Sequence, residues 1–262
     1  YQAVCDGFDT SDIMTFTTES ELQLPNAGME EWDTSGKAHL ICAPGGELFW
    51  DSGNHGSSTM SKNVTQRASD VKHSGDYSAK LESQFVGVGM FGKFAAGNLF
   101  VGQYLATDGT DGVLGWGRPF ASRPKALKVY VQYTPNAVSH RADDAPSEAP
   151  QKGAMDCGIV YVAIVDATID DDKTYKGWPV IVKTKKSDRK LFNKNGDNVI
   201  AYGERVFTEA TGGMIEVEIP LEYFKTDVKA SNIVLTCSAS RYGDYFTGGP
   251  SVMYVDDFEL IY

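Results

Sequence analysis

The chain closes on SVMYVDDFELIY, and its two aspartates, Asp256 and Asp257, sit inside a segment otherwise suited to a β-strand. A carboxylate pair there can serve proton transfer, cation binding or plain surface charge. Strand alternation puts Tyr254, Asp256, Phe258, Leu260 and Tyr262 on one face, and Val255, Asp257, Glu259 and Ile261 on the other. The first face is more apolar, so Asp256 is expected to point inward. A buried carboxylate then needs an arginine, backbone donors or a cation. A second acidic pair, Glu30 and Glu31, lies in LPNAGMEEW. First and last strands of a sandwich often lie side by side. Glu30 and Asp256 could therefore share a calcium ion completed by backbone carbonyls, or they could be solvated edge charges. As neighbours on a regular strand, Asp256 and Asp257 face opposite ways. They cannot form a catalytic pair unless a bulge intervenes.

The elements that must position these residues read as strands. LKVYVQYTP (127–135), CGIVYVAIVD (157–166), GWPVIVKT (177–184), MIEVEIPL (214–221), NIVLTCSAS (232–240) and MYVDDFELIY (253–262) alternate or run continuously β-branched and aromatic. Clusters such as NKNGDN (193–198) and TGGP (247–250) separate them. The strongest helical candidate is LEYFKTDVKAS (221–231), good for one or two turns. No strand–helix–strand rhythm exists, so the expected class is all-β, with two packed antiparallel sheets. The polar segment 136–156 reads as a long surface loop. Residues 1–21 read as an N-terminal extension or leading strand, and 22–262 as one domain.

Composition narrows the partners. The net charge of −11 argues against nucleic acid and against an anionic membrane surface. No apolar run approaches the roughly 18 residues that span a bilayer. The start YQAVCDGFDT lacks the basic head and apolar stretch of a signal peptide. Cys5, Cys42, Cys157 and Cys237 show no zinc-type spacing; they form two disulfides or none. VGVGMFGKF carries G-x-G-x-x-G at Gly87, Gly89 and Gly92. A strand-like AAGNLFVGQYL follows where a dinucleotide fold needs a helix, so a glycine-rich hairpin is expected. His39, His55, His73 and His140 are scattered, and no G-x-S-x-G elbow is present. Asn63-Val64-Thr65 fits a glycosylation sequon, a short signal.

In order along the chain come LPNAGMEEW, FWDSGN, SGDYSAKLES, AAGNLFVGQY, GRPFASRPKALKVYVQY, VIAYGERVF and SASRYGDYFTGGPSVMYVDDFELIY. The series resembles the putative carbohydrate metabolism domain over residues 22–262, a family of secreted or surface proteins of gut-type Bacteroidetes. The resemblance implies a β-sandwich jelly roll similar to carbohydrate-binding modules and to lectin-like domains of glycoside hydrolases. Members often carry an immunoglobulin-like domain upstream, for which this N-terminal part is short. Jelly rolls of this kind begin with an Asn-Gly-x-Phe-Glu-like segment and end with a Val-Asp-Asp-like strand, and the two ends contribute to a structural calcium site. Here the opening segment is Asn26-Ala27-Gly28-Met29-Glu30, with Met29 in the place of Phe. The resemblance thus implies calcium at Glu30 and Asp256.

Sugar recognition needs flat aromatic faces and planar polar groups. FWDSGN offers Trp50, Asp51 and Asn54 on one loop. GWGRPF and SRP offer Trp116, Arg118 and Arg123, and AAGNLF offers Asn98 among small neighbours. Arg241, Tyr242 and Tyr245 form a third group. Each has a structural reading beside it. Trp32 and Trp178 suit the core, Trp50 and Trp116 suit either role, and Arg118 and Arg123 could brace loops through carboxylates. The combined expectation is a secreted or cell-surface jelly roll that binds a glycan, with no catalytic residue assigned. A glycoside hydrolase and a protein-contacting adhesion module are the alternatives.

Overall fold

Alternation decides the architecture of this computed structural model, which describes residues 21–88, 92–167 and 174–262. In chain order the strands are β1 (Trp50–Asp51), β2 (Thr65–Ala68), β3 (Ser78–Glu82), β4 (Gln84–Val86), β5 (Lys93–Ala95), β6 (Asn98–Asp108), β7 (Asp111–Trp116), β8 (Arg118–Pro119), β9 (Ala126–Thr134), β10 (Gly158–Val165), β11 (Val180–Lys183), β12 (Val199–Phe207), β13 (Ile215–Pro220), β14 (Glu222–Tyr223), β15 (Asn232–Ser238) and β16 (Val252–Ile261). A large sheet runs β11-β7-β6-β15-β10-β12-β14, with β1 added to β6 and β8 to β15. A smaller sheet runs β13-β9-β16-β3-β2. The pairings are antiparallel, and the two sheets stack as a β-sandwich of the jelly-roll class. Each of the six strands expected from sequence is present. The glycine-rich stretch is a hairpin, β4 against β5, with Gly89 outside the described residues.

The inner faces of both sheets build the main core. Val160, Val162, Ile164 and Leu235 of the large sheet pack with Leu127, Val129, Met253 and Val255 of the small one. The outer face of the large sheet is apolar too. Ile159, Tyr161, Ala163 and Val165 join Phe100, Trp116 and Val234 there, with Leu191 and Phe192 packed against them. That explains why GIVYVAIV is a continuous apolar run: β10 is buried on both sides. Each large side chain buried this way stabilises the fold by roughly 1.5–3 kcal/mol.

The helix expected over 221–231 does not form. Glu222 and Tyr223 extend the large sheet by pairing with Tyr202 and Ala201. Val228 and Ala230, two residues apart, both turn to the core alongside Leu221, a spacing no single helix face provides, so tertiary burial overrides a weak local preference. Cys42, Cys157 and Cys237 are buried free thiols, and Cys5 lies outside the described residues. The segment 136–156 is a loop as expected, tied by bridges from Ala137 to Met155 and from His140 to Gly248. Its end is fixed by Asp156, a buried carboxylate that accepts bonds from the Ser240 hydroxyl at 2.6 Å and the Gly249 amide at 2.8 Å. The Cys157 amide at 2.8 Å and the Ser251 hydroxyl at 3.1 Å complete the shell.

The simple alternation expected for the last strand is corrected by a bulge. Asp256 pairs with Tyr130 and Glu259 with Lys128, so β16 carries one residue more than β9, and Asp257 takes a left-handed φ of 44°. The inward phase flips at that point. Met253 and Val255 face the core before it, and Phe258 and Leu260 after it, while Tyr254 is only half-buried. Asp256 is fully buried, as expected. Its Oδ2 accepts the His73 amide at 2.7 Å and the Ser74 amide at 3.3 Å, and its Oδ1 accepts the Asp257 amide at 2.8 Å. The Asp257 carboxylate meets His73 Nδ1 at 2.6 Å. Glu30 grips the same turn from the other side, accepting the Asp76 amide at 3.0 Å and the Tyr77 amide at 3.3 Å. The segment over 23–27 lies along the last strand: Gln23 exchanges two bonds with the Leu260 backbone, and the Phe258 amide donates to Ala27.

Gly75, at the tip of that turn, has a φ of +60°, and a Cβ there would sit 1.9 Å from Glu30 Oε1. Gly75→Ala is therefore expected to cost about 2 kcal/mol, through backbone strain and loss of the Glu30 contacts. Chemical denaturation checks this; an unchanged midpoint would contradict the clamp.

Candidate functional site

The FWDSGN group is structural, which corrects the expectation for Trp50, Asp51 and Asn54. Trp50 is fully buried in the core, and its indole N–H donates to the Pro25 carbonyl at 2.7 Å. Asp51, equally buried, accepts the Ser52 and Tyr104 amides. Asn54 spans from the His39 carbonyl to the Thr65 backbone. The turn after β1 needs these groups turned inward, so they present nothing to a ligand. Arg118 and Arg123 brace loops, as the structural reading allowed, with bonds to backbone carbonyls. Arg118 donates to Leu48 and lies over the Trp178 ring. Arg123 donates to Lys225 and Val228 and lies over Tyr223. Trp32 is a core residue bonded to the Met29 carbonyl.

Three other sequence-derived candidates do meet. Asn98, Trp116 and Arg241 line one small pocket of about 40 Å³ on the outer face of the large sheet. Phe100 and Tyr161 form its floor, and Asp244 stands at its edge. The Trp116 ring is 3% exposed and packs on Phe100 at 5.8 Å, so it offers no open stacking face. Its Nε1 has no acceptor. Asn98 Oδ1 accepts the Gly53 amide at 2.8 Å. Tyr242 lies beside the Arg241 guanidinium, and Tyr245 beneath that of Arg189, on the short 3-10 turn Gly243–Tyr245 and its flank.

Next to this pocket lies a much larger open cleft of about 810 Å³, which sequence reasoning missed. Its walls come from the β4–β5 hairpin, the loop over 140–144, the loop over 185–189, and Phe246. The His140 ring stacks against Phe85 at 5.0 Å and Phe94 at 5.7 Å. Burial, then the nearby Lys152 charge, pushes the His140 imidazole below its ordinary pKa. Phe246 follows the 3-10 turn with a φ of +53°, a costly conformation for a bulky residue. Its ring receives the Lys93 ammonium at 3.9 Å, and Lys93 also meets Asp111 at 2.7 Å. Lys186 pairs with Asp143 at 2.8 Å, and Arg189 with Asp144. The signal that could have exposed this cleft was the glycine-rich stretch flanked by Phe85 and Phe94. The remaining aromatic residues are far away in sequence.

As for calcium, the oxygens of Glu30 and Asp256 are turned to backbone amides. Among the described residues no three acidic or imidazole groups converge on one point. An ion held there would depend on backbone carbonyls for most of its shell.

Two stacked antiparallel sheets with an aromatic-lined cleft at their margin define a β-sandwich. The chain belongs to the putative carbohydrate metabolism domain family, whose model matches residues 28–261. Among solved structures it is similar to a putative glycoside hydrolase from Bacteroides thetaiotaomicron VPI-5482, at 18% identity and a TM-score of 0.65, covering 94% of this chain and 72% of that one. It is also similar to a putative glycoside hydrolase from Bacteroides vulgatus ATCC 8482, at 19% identity and a TM-score of 0.59, covering 89% of this chain and 96% of that one. At these identities the likeness establishes the fold alone. No curated protein matches the sequence. No described helix is long and apolar enough to cross a membrane.

Although Asp244 is partly exposed, protein packed around its carboxyl desolvates it and pushes it up from an ordinary 3.8 to about 6, against the opposing pull of the Arg189 charge. The folded chain therefore holds a proton there that the unfolded chain releases between about pH 4 and 6. The stability tied to that proton is lost as pH rises through about 6. Asp244→Asn removes this window. Its melting temperature is expected to fall less than the parent's between about pH 4.5 and 7; parallel curves would contradict it.

Proposed function

We propose that this domain binds a glycan without hydrolysing it, through the cleft between the β4–β5 hairpin and Phe246, as part of a secreted or cell-surface protein of polysaccharide metabolism. The observation that carries the reading is Phe246. A bulky ring is held on a strained left-handed backbone where it forms a wall of the cleft. Strain of that kind persists where the surrounding structure enforces it, often at ligand sites. The cleft's volume lies within the range of small-ligand sites. Phe85, His140 and Phe246, each partly exposed, supply apolar ring faces for the C–H side of a sugar, with Phe94 buried behind His140. The paired Lys93–Asp111, Lys186–Asp143 and Arg189–Asp144 supply planar or multidentate hydrogen-bonding groups with little net charge. That suits a neutral saccharide.

Hydrolysis is the second reading, and one observation favours it. A carboxyl with a pKa near 6, as at Asp244, is tuned as a proton donor. A glycosidase also needs a second carboxylate at a fixed separation. A calcium ion shared by Glu30 and Asp256 would add a brace to the clamp.

A panel of soluble oligosaccharides and polysaccharides, with calcium or with chelator, tests all three. We expect binding without release of reducing ends. We expect it to survive chelator, because neither Glu30 nor Asp256 lines the cleft. Phe85, 37% exposed, can be truncated with little cost to the core, and Phe85→Ala should weaken binding about tenfold. Released reducing ends would establish hydrolysis. Loss of binding in chelator would implicate the ion. No binding to any member would favour a protein-contacting module.

A further inference from the structure

We propose that the small pocket beneath the Gly243–Tyr245 turn is a hydroxyl-recognition subsite, taking one hydroxyl or hydroxymethyl group of a neutral saccharide between Trp116 Nε1 and Asp244. The proposal rests on the glycan reading above and adds to it a specific point of chemical recognition.

The first observation is an unpartnered donor. Trp32 and Trp50 are as deeply buried as Trp116, and both donate their indole N–H to a carbonyl, at 2.6 and 2.7 Å. Trp116 is 3% exposed and lines the pocket, yet its Nε1 has no acceptor. Buried indole N–H groups normally find one. The second observation is an acceptor in the same pocket. Asp244 makes no side-chain hydrogen bond or ion pair to any described residue, although it lines the cavity. Trp116 and Asp244 line the same pocket, and a donor with an acceptor matches a hydroxyl, which both accepts and donates.

Size restricts the occupant. A cavity of about 40 Å³ exceeds the roughly 10–15 Å³ that one water needs and falls well below the roughly 300–1,000 Å³ of small-ligand sites. A sugar ring does not enter it, but a hydroxyl or hydroxymethyl arm does. Entry is open because Arg241 and Asp244, at the mouth, are both half-exposed. The pocket and the cleft are neighbours on two segments at once. On β5, Phe94 lines the cleft and Ala96 the pocket; after the 3-10 turn, Phe246 lines the cleft and Asp244 the pocket. Two strand residues span roughly 6.6 Å, so one saccharide can reach from ring contacts in the cleft to the pocket.

The test uses titration calorimetry with neutral gluco-, galacto- and manno-tetrasaccharides on the parent, Trp116→Phe and Asp244→Asn. Trp116→Phe removes the donor together with the pyrrole ring, leaving a small cavity at this buried position, so its affinity is read beside the indole signal of the parent. For any tetrasaccharide that binds the parent, each variant is expected to bind five- to twentyfold more weakly. A 1H–15N titration of the parent gives a second readout independent of variant folding: one of the four indole resonances, assigned to Trp116, should move downfield with ligand. Parent-like affinity of Trp116→Phe, or an unmoved Trp116 indole signal on saturation, would overturn the subsite and leave the glycan reading standing. If none of the tetrasaccharides binds and the polysaccharide panel is also silent, the glycan reading fails and the subsite fails with it.

Discussion

The small sheet turns on a carboxylate buried beneath its surface. Asp256 is fully buried beside the bulge of β16, and a bare buried carboxylate is costly. Three amides satisfy it, two of them from His73 and Ser74. Those amides point correctly only if the 73–77 turn holds its shape, and Glu30 holds that turn from its other end. The same bulge changes which residues of β16 face inward. Because β16 lies between β9 and β3, its phase sets the inner face of the sheet. Carboxylates placed for backbone amides thus join the first segment, a surface turn and the last strand. The burial that raises the Asp256 pKa is offset in part by those same amide bonds.

The large sheet obeys a different constraint. Its central strands are apolar on both faces, so the outer face must be covered as well. Leu191 and Phe192 cover part of it, and the Arg241–Phe246 segment lies over the pocket beside them. Where covering segments meet the β4–β5 hairpin and the 140–144 loop, they leave the cleft. The Asp156 hub anchors the far end of that loop to Ser240, just past β15, and to Ser251, just before β16. Site and scaffold are therefore coupled: groups buried for packing fix the backbone that carries the cleft's aromatic rings.

Strands were legible in the sequence because period-two alternation and β-branched runs report burial directly. The bulge was not legible. One extra residue leaves the pattern of types intact and shifts only its phase, so Tyr254 looked like a partner of Phe258. The short FWDSGN group misled for a related reason. An aromatic residue followed by Asp and Asn has the same composition at a sugar site and in a tight turn that caps its own backbone. Trp116 was found, but for its ring, when the unpaired group is its N–H. The cleft escaped because Phe85, Phe94, His140 and Phe246 converge through pairing partners that no local pattern encodes. The glycine-rich stretch beside two of them was read correctly as a hairpin, without its part in a site.

The central claim, a glycan held in the cleft beside Phe246, is tested most directly by backbone amide chemical-shift mapping during titration with a saccharide that binds. The account predicts shifts concentrated in residues 84–86, 92–95, 140–144, 185–189 and 241–246. Shifts confined to the small sheet, around β13, β9 and β16, would contradict it and move the binding face to the opposite side of the sandwich.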